Sequence, residues 1–145
     1  MGGARYEREL VNALDRHGYV AMRAPSSGSA TTRDLPDVLA LRSVTTASGR
    51  VRSEVLAVEV KSTSATTAYA EQAEGEALER FADEAGATAY VSARFKRQGS
   101  DKRHYLVPLD ACRMTDAGSY GVPESDAEER AALVVNVSTD EVRRP

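Results

Sequence analysis

Asp37, Glu59 and Lys61 are the residues whose types and spacing could together do chemistry. Glu59 and Lys61 lie two positions apart in the apolar stretch EVLAVEVKS, residues 54–62, and side chains two apart in a strand point to the same face. Two carboxylates held beside an amine repel each other unless a divalent cation lies between them, and such oxygen ligands select Mg²⁺ or Mn²⁺. If Asp37 lies beside Glu59, these residues predict a metal site.

Two neighbouring strands must position these side chains. Asp37 opens a strand over residues 37–42, and a second strand runs from residue 54 to 61 after a turn around Ser48 and Gly49. In an antiparallel hairpin the start of one strand lies beside the end of the other, so we expect Asp37 and Glu59 to meet. The simpler alternative is a surface ion pair between Glu59 and Lys61 on an edge strand.

The rest of the chain predicts an α/β fold. Helical spacing indicates helices over residues 4–17 and 68–86, and a short one over 109–114. Further strands are predicted over residues 19–23, 87–95, 103–109 and 131–137, with an acidic loop over 115–129. This order predicts a mixed central β-sheet flanked by helices.

Composition excludes several classes of protein. The length of 145 residues suits a single domain, 1–145, whose acidic region 116–145 is the least readable part. No apolar run is long enough to span a membrane, so we expect a soluble, cytoplasmic protein without a membrane partner. One cysteine, Cys112, and two histidines exclude an internal disulfide and disfavour a Cys/His zinc site. The scarcity of lysine fits either a salty cytoplasm or a GC-rich genome.

Charge is unevenly distributed along the chain. Residues 62–93 hold one base and six acids, whereas residues 94–107 hold five bases and one acid. The net charge of −3 therefore hides concentrated basic surface, and an anionic partner such as DNA is not excluded.

Longer motifs resemble a known family. Pro36-Asp37 followed by Glu59-Val60-Lys61 is the P-D…E-x-K pattern of the restriction-endonuclease-like nucleases. From about residue 3 to residue 95 the chain also resembles the archaeal Holliday junction resolvases of the Hjc type. The resemblance rests on a Glu-Arg pair in the first helix, the R-A-P-x-S-G-S loop, the ExKS stretch and the Y…Q-A-E-G stretch. It implies a restriction-endonuclease-like core.

The resemblance also implies roles for individual residues. Metal-binding acids fall on Glu7, Asp37 and Glu59, with Glu7 acting through a water, and Lys61 and Ser27 join Asp37 and Glu59 as catalytic residues. Supporting positions fall on Tyr69 and Gln72. Basic residues expected to contact the DNA backbone are Arg5, Arg8, Arg23, Arg33, Arg94, Lys96 and Arg97, with Lys102 and Arg103 nearby.

The function implied by the resemblance is a Mg²⁺-dependent endonuclease that resolves four-way DNA junctions as a homodimer, whose protein partners in recombination or repair are unknown. Strand 87–95 and its flanking helix are the expected dimer surface. Two alternatives stay open: a nuclease of this class with a restriction-type or flap-type substrate, and a non-catalytic DNA-binding module on the same scaffold.

Overall fold

The structure is a computed structural model that describes residues 3–25 and 34–145. Its helices are α1 (Gly3–Asp15), α2 (Gln72–Ala85) and α3 (Ala127–Arg130). Its strands are β1 (Val20–Arg23), β2 (Val38–Thr45), β3 (Val51–Thr63), β4 (Thr67–Ala70), β5 (Thr88–Phe95), β6 (Arg103–Pro108), β7 (Arg113–Met114), β8 (Tyr120–Pro123), β9 (Leu133–Asn136) and β10 (Glu141–Arg143). Single 3₁₀ turns lie at Leu109–Ala111 and Glu124–Asp126.

Seven of these strands form one mixed sheet, in the order β1-β2-β3-β5-β6-β9-β10. The strands β3 and β5 pair in parallel, with α2 in the connection between them, and the other neighbours in this sheet are antiparallel. A second, smaller sheet has the order β4-β8-β7. The predicted mixed sheet flanked by helices is therefore confirmed.

The long strand β3 separates two apolar cores. Leu56, Val58 and Val60 point to the face covered by α1, where they are buried in one cluster. Ala57 points to the opposite face and is buried in a cluster that includes Leu78 of α2. Because side chains alternate along a strand, Glu59 and Lys61 continue the Ala57 face and therefore point toward α2.

The second helix is shorter than its sequence pattern predicted. It ends as expected at Gly86, whose φ of 66° is the left-handed conformation that glycine adopts readily. Its predicted start was wrong, because residues 68–70 belong to strand β4. Ala68 and Ala70 are buried there and Tyr69 is exposed, an alternation that tertiary pairing with the distant strand β8 stabilises.

The region after β6 is also more regular than predicted. Residues 115–129 were expected to form a loop, but they contain β8, which is the central strand of the small sheet, and the first three residues of α3. The expected helix over residues 109–114 is a single 3₁₀ turn followed by β7. The last predicted strand is confirmed as β9, and β10 was not predicted.

Strand β5 does not offer the dimer surface that the sequence suggested. It lies between β3 and β6 in the sheet, and its residues 91–95 are all buried. The flanking helix α2, the other part of the predicted surface, has an exposed side, and its role in a dimer stays a prediction. No helix among the described residues has the length and apolar character needed to cross a membrane.

The small sheet packs on the first turn of α2 through Gly75 and Tyr120. Gly75 is buried, and a Cβ added at this position would lie 2.0 Å from Cε1 of the Tyr120 ring. Real Cβ atoms do not approach other atoms this closely, so the glycine is required for the ring to pack on the helix. This contact joins residues that are far apart in the sequence.

We expect Gly75→Ala to destabilise the protein. Helix propensity alone predicts a gain of about 1 kcal/mol from this change, whereas displacing the Tyr120 ring is an overpacking that costs about 1–3 kcal/mol. Urea unfolding measures the difference, with Glu76→Ala at an exposed position of the same helix as the control. A Gly75→Ala protein more stable than wild type would contradict the packing described here.

Candidate active site

Asp37 and Glu59 come together at the adjoining ends of β2 and β3. The antiparallel register pairs Val38 with Val58, which makes Asp37 and Glu59 the next opposed positions. The Val60 main-chain N–H donates a hydrogen bond to Asp37 Oδ2 at 2.9 Å, and the Glu59 carboxyl hydrogen-bonds to the Asp37 carboxyl. The two acids meet as the strand pairing predicted.

Their surroundings make both carboxyls weaker acids than usual. Burial, reinforced by the charge of Asp37, raises the pKa of Glu59 to about 8. Burial also raises the pKa of Asp37, against the opposing effects of the Val60 N–H and the Lys61 charge. A protonated Glu59 can donate its hydrogen bond to Asp37, which relieves the repulsion between the two carboxyls.

Lys61 lies beside this pair and contacts two carboxylates. Its Nζ atom is 3.6 Å from Glu59 Oε2 and 2.7 Å from Glu74 Oε2. Burial lowers the pKa of Lys61, but Glu74, Glu59 and Asp37 outweigh burial, and the net direction is upward. Lys61 is therefore a charged ammonium group at neutral pH.

Glu74 was missed by the sequence reasoning. It lies in the first turn of α2, where its Oε1 atom accepts a hydrogen bond from the Glu71 main-chain N–H at 2.9 Å. Burial raises the pKa of Glu74, but Lys61 and the Glu71 N–H lower it more, so its carboxylate is ionised. The Glu71-x-x-Glu74 spacing is typical of a helix-capping pair, and nothing in that spacing indicates a partner in β3.

Glu7 reaches the same end of the sheet from α1. Its Oε1 atom is 3.1 Å from Nε of Arg23, the last residue of β1. Burial and the charge of Asp37 raise the pKa of Glu7 more than Arg23 and Arg8 lower it. Within residues 3–25 and 34–145, no group of three His, Cys, Asp or Glu side chains is placed to hold a metal ion.

Four other predicted site residues remain: two lie outside the described residues, and two contact the small sheet or the turn before β8. Ser27 and Arg33 lie outside the described residues. A Cβ added at Gly121 would lie 3.2 Å from the Tyr69 ring, and one at Gly118 would lie 2.9 Å from Cδ of Gln72. The side chains of Tyr69 and Gln72 therefore pack on the small sheet and the turn that precedes β8.

The predicted basic residues divide into unpaired and paired groups. Arg5, Arg8 and Lys96 are exposed, and no carboxylate of the described chain lies within ion-pair distance of them. The cations of Arg5 and Lys96 lie 5.4 and 5.9 Å from the Tyr6 ring centroid. Arg97 instead pairs with Glu124, as Arg23 does with Glu7.

Arg94 contradicts the predicted phosphate contact. Its side chain is only 7% exposed, and its Nε atom lies 2.7 Å from Glu9 Oε1. The fully buried His104 contacts the same oxygen through Nε2 at 2.6 Å. Burial lowers the pKa of His104 despite Glu9, so a neutral imidazole that donates its Nε2–H to the carboxylate fits this contact. Arg94 therefore holds α1 against β5 and β6.

A mixed sheet that presents paired carboxyls and a lysine at the ends of two hairpin strands defines a restriction-endonuclease-like nuclease. Comparison with known families then makes the assignment narrower. The family described as archaeal Holliday junction resolvase (Hjc) matches residues 1–138. The chain belongs to this family.

Individual relatives agree with this assignment. A curated protein of Sulfurisphaera tokodaii, named crossover junction endodeoxyribonuclease Hjc, is 27% identical over 132 residues, which are 90% of this chain and 82% of that protein. A protein of the same name from Sulfolobus acidocaldarius is 29% identical over 119 residues, 81% of this chain and 73% of that protein. The solved structure of Archaeoglobus fulgidus Hjc, described as a Holliday junction resolvase, is 29% identical with a TM-score of 0.65. It aligns over 85% of this chain and 89% of its own.

We expect Glu9→Gln to remove part of the acid sensitivity of folding. His104 and Arg94 outweigh burial and lower the pKa of Glu9 from 4.5 to about 2. A lowered folded pKa contributes stability above pH 4.5, which is lost as the pH falls toward 2. Thermal unfolding midpoints measured across this range should fall less steeply in Glu9→Gln, although its midpoint at pH 7 should be lower than that of wild type.

The matched control is Glu76→Gln, which changes an exposed carboxylate. It should leave both the midpoint and its pH dependence unchanged. A Glu9→Gln protein that loses stability in parallel with wild type between pH 4.5 and 2 would contradict the buried network.

Proposed function

We propose that this chain is a structure-specific endonuclease that hydrolyses phosphodiester bonds at four-way DNA junctions. The observation that carries the proposal is the convergence of Asp37 and Glu59 beside the Lys61 ammonium group. The family assignment supports the junction as substrate, because the relatives are named crossover junction endodeoxyribonucleases. Residues 1–145 act in this proposal as one nuclease domain inside the cell, where the DNA is.

The carboxyl pair suits a hard divalent cation. Asp37 and Glu59 offer oxygen ligands, and burial raises the pKa of both, which supports a site where a cation would stabilise their ionised forms. Mg²⁺ is commonly held by one or two carboxylates together with waters, so two ligating acids suffice for it. Glu7 would act through a water. Bound Mg²⁺, or Mn²⁺ in its place, would supply Lewis-acid activation of the phosphoryl group and of water.

Lys61 and the basic residues supply the remaining positive charge. Hydrolysis spreads negative charge over the phosphoryl oxygens, and an ammonium group fixed beside them stabilises that charge more in a partly buried site than in water. Arg5 and Lys96 lie over the Tyr6 ring of α1, which also contacts Arg94 at the end of β5, and Arg8 is close enough to Glu7 to lower its pKa. They would contact phosphates and give affinity without reading bases.

A homodimer would complete the activity. A four-way junction presents two equivalent strands related by near two-fold symmetry, whereas one active site cuts one strand. A C₂ dimer supplies two equivalent sites with a fixed separation. We therefore propose dimerisation, with paired opposing nicks as its product.

A cleavage assay tests the proposed substrate. With Mg²⁺, wild type should cut a mobile four-way junction in two opposed strands and should cut linear duplex and flap substrates far more slowly. Asp37→Asn and Glu59→Gln should each lower cleavage by at least about 100-fold, the scale expected when catalytic electrostatic groups are lost. Junction binding, measured by fluorescence anisotropy, should persist.

Glu54→Gln is the matched control, because Glu54 lies on β3 but pairs with Arg42 and Arg144 away from the site. It should cleave like wild type. If a flap or a linear duplex were cut faster than the junction, the proposed junction substrate would be wrong, and the faster substrate would take its place. If both Asp37→Asn and Glu59→Gln cleaved like wild type, the proposed assignment of the active site would be wrong.

Junction binding should depend weakly on salt for a protein of this fold. Arg23, Arg94 and Arg97 are held by carboxylates, which leaves fewer basic residues to displace counterions from phosphates. We expect the slope of log Kobs against log[salt] to be smaller in magnitude than about 7, the value for about 8 phosphate contacts. Glu124→Gln, which releases Arg97, should steepen the slope by about 1 for each new contact.

Glu128→Gln provides the comparison for this release. Glu128 pairs with Arg143 of β10, the edge strand at the far side of the sheet from β2 and β3. Its loss should leave the slope unchanged. A wild-type slope of about 7 or steeper would show that the ion pairs open on binding, contrary to the prediction.

A further inference from the structure

The ammonium group of Lys61 lies closer to Glu74 than to Glu59, the acid of the E-x-K motif. The Nζ atom lies 2.7 Å from Glu74 Oε2, a hydrogen-bond distance, but 3.6 Å from Glu59 Oε2. Both partners of the shorter contact are partly buried, with 26% of the Lys61 side chain and 33% of the Glu74 side chain exposed. This contact is therefore less screened than an ion pair at the open surface.

Glu74 is itself fixed in place. Its second oxygen accepts the Glu71 main-chain N–H, so one carboxylate joins the start of α2 to the end of β3. The next residue, Gly75, is pressed against the Tyr120 ring of the small sheet. The orientation of the Glu74 carboxylate thus depends on the packing of α2 as well as on Lys61.

We propose that Glu74 is a positioning residue that holds the Lys61 ammonium group away from the Asp37–Glu59 carboxyl pair. Lysine has a flexible stem with about 2 kcal/mol of rotamer entropy, so its position must be set by its partners. Without Glu74, the nearest carboxylates available to Lys61 are Glu59 and Asp37, and a direct pair with them would compete with a cation and draw the ammonium group from the phosphate. This inference rests on the proposed function.

A double-mutant cycle tests the inference. Single-turnover cleavage of a four-way junction at saturating Mg²⁺ is measured for wild type, Glu74→Gln, Lys61→Met and the double variant. Glu74→Gln should cleave about 10- to 100-fold more slowly, the scale of a reacting group displaced by about 1 Å, with junction affinity within about 2-fold of wild type. In the Lys61→Met background the same change should have a much smaller effect, because Glu74 acts mainly through Lys61, and its direct contact with Glu59 accounts for what remains.

Glu76→Gln is the matched control in the same helix, and it should cleave like wild type. Thermal unfolding of Glu74→Gln reports any general loss of structure, which would lower the rate in both backgrounds alike. Rate losses that multiply in the double variant would overturn the inference.

A second measurement does not depend on activity. The chain has three lysines, Lys61, Lys96 and Lys102, so the ammonium signals in a ¹⁵N NMR spectrum are few and can be assigned by substitution. The Lys61 ammonium protons should exchange with water several-fold faster in Glu74→Gln than in wild type and Glu76→Gln. Unchanged exchange would overturn the inference even if no junction were cut, whereas a wild type that fails to cut junctions but shows the exchange difference would overturn only the proposed function.

Discussion

The antiparallel pairing of β2 with β3 is the constraint on which the site depends. The register that places Val38 opposite Val58 also places Asp37 opposite Glu59, with both side chains on the face that carries Ala57. A shift of one residue in this pairing would send one carboxyl to the α1 face, where the surrounding core is apolar. The burial of Leu56, Val58 and Val60 beneath α1 prevents such a shift, because it would expose these side chains.

Carboxyl groups on the two faces of the sheet are compensated by positive charge to different extents. Beneath α1, the Glu9 carboxylate receives bonds from Arg94 and His104, and a buried charge satisfied in this way is structural. Beside α2, Asp37 and Glu59 face each other, and among the described residues Lys61 is the cation whose charge acts on both. Asp37 and Glu59, whose ionised forms are disfavoured, are thus the carboxyl groups placed to react. Glu9, whose carboxylate is hydrogen-bonded by Arg94 and His104, fixes α1, the helix that carries Glu7 and Arg8.

Much of this arrangement follows from local sequence patterns. Strand alternation placed Glu59 and Lys61 on one face, and the hairpin placed Asp37 beside them, because both features depend on neighbouring residues. The strand at Tyr69 and the region around β8 could not be read in the same way, since β4 and β8 stabilise each other across some fifty residues of intervening chain. Arg94 was misjudged for a related reason. A basic residue in a basic segment is expected to be exposed, but in the structure α1 covers Arg94 and places Glu9 beside it. Glu74 was missed because its sequence pattern is that of a helix-capping residue, and such a pattern does not indicate a partner in β3.

The contact between Gly75 and the Tyr120 ring has a consequence for how the protein is made. The first turn of α2 borders the carboxyl pair, yet it packs on a strand that leaves the ribosome well after β2 and β3. During synthesis, Gly75 is therefore made well before the Tyr120 ring on which it packs. The first turn of α2, which carries Glu74, thus gains this packing contact only after most of the chain has been synthesised.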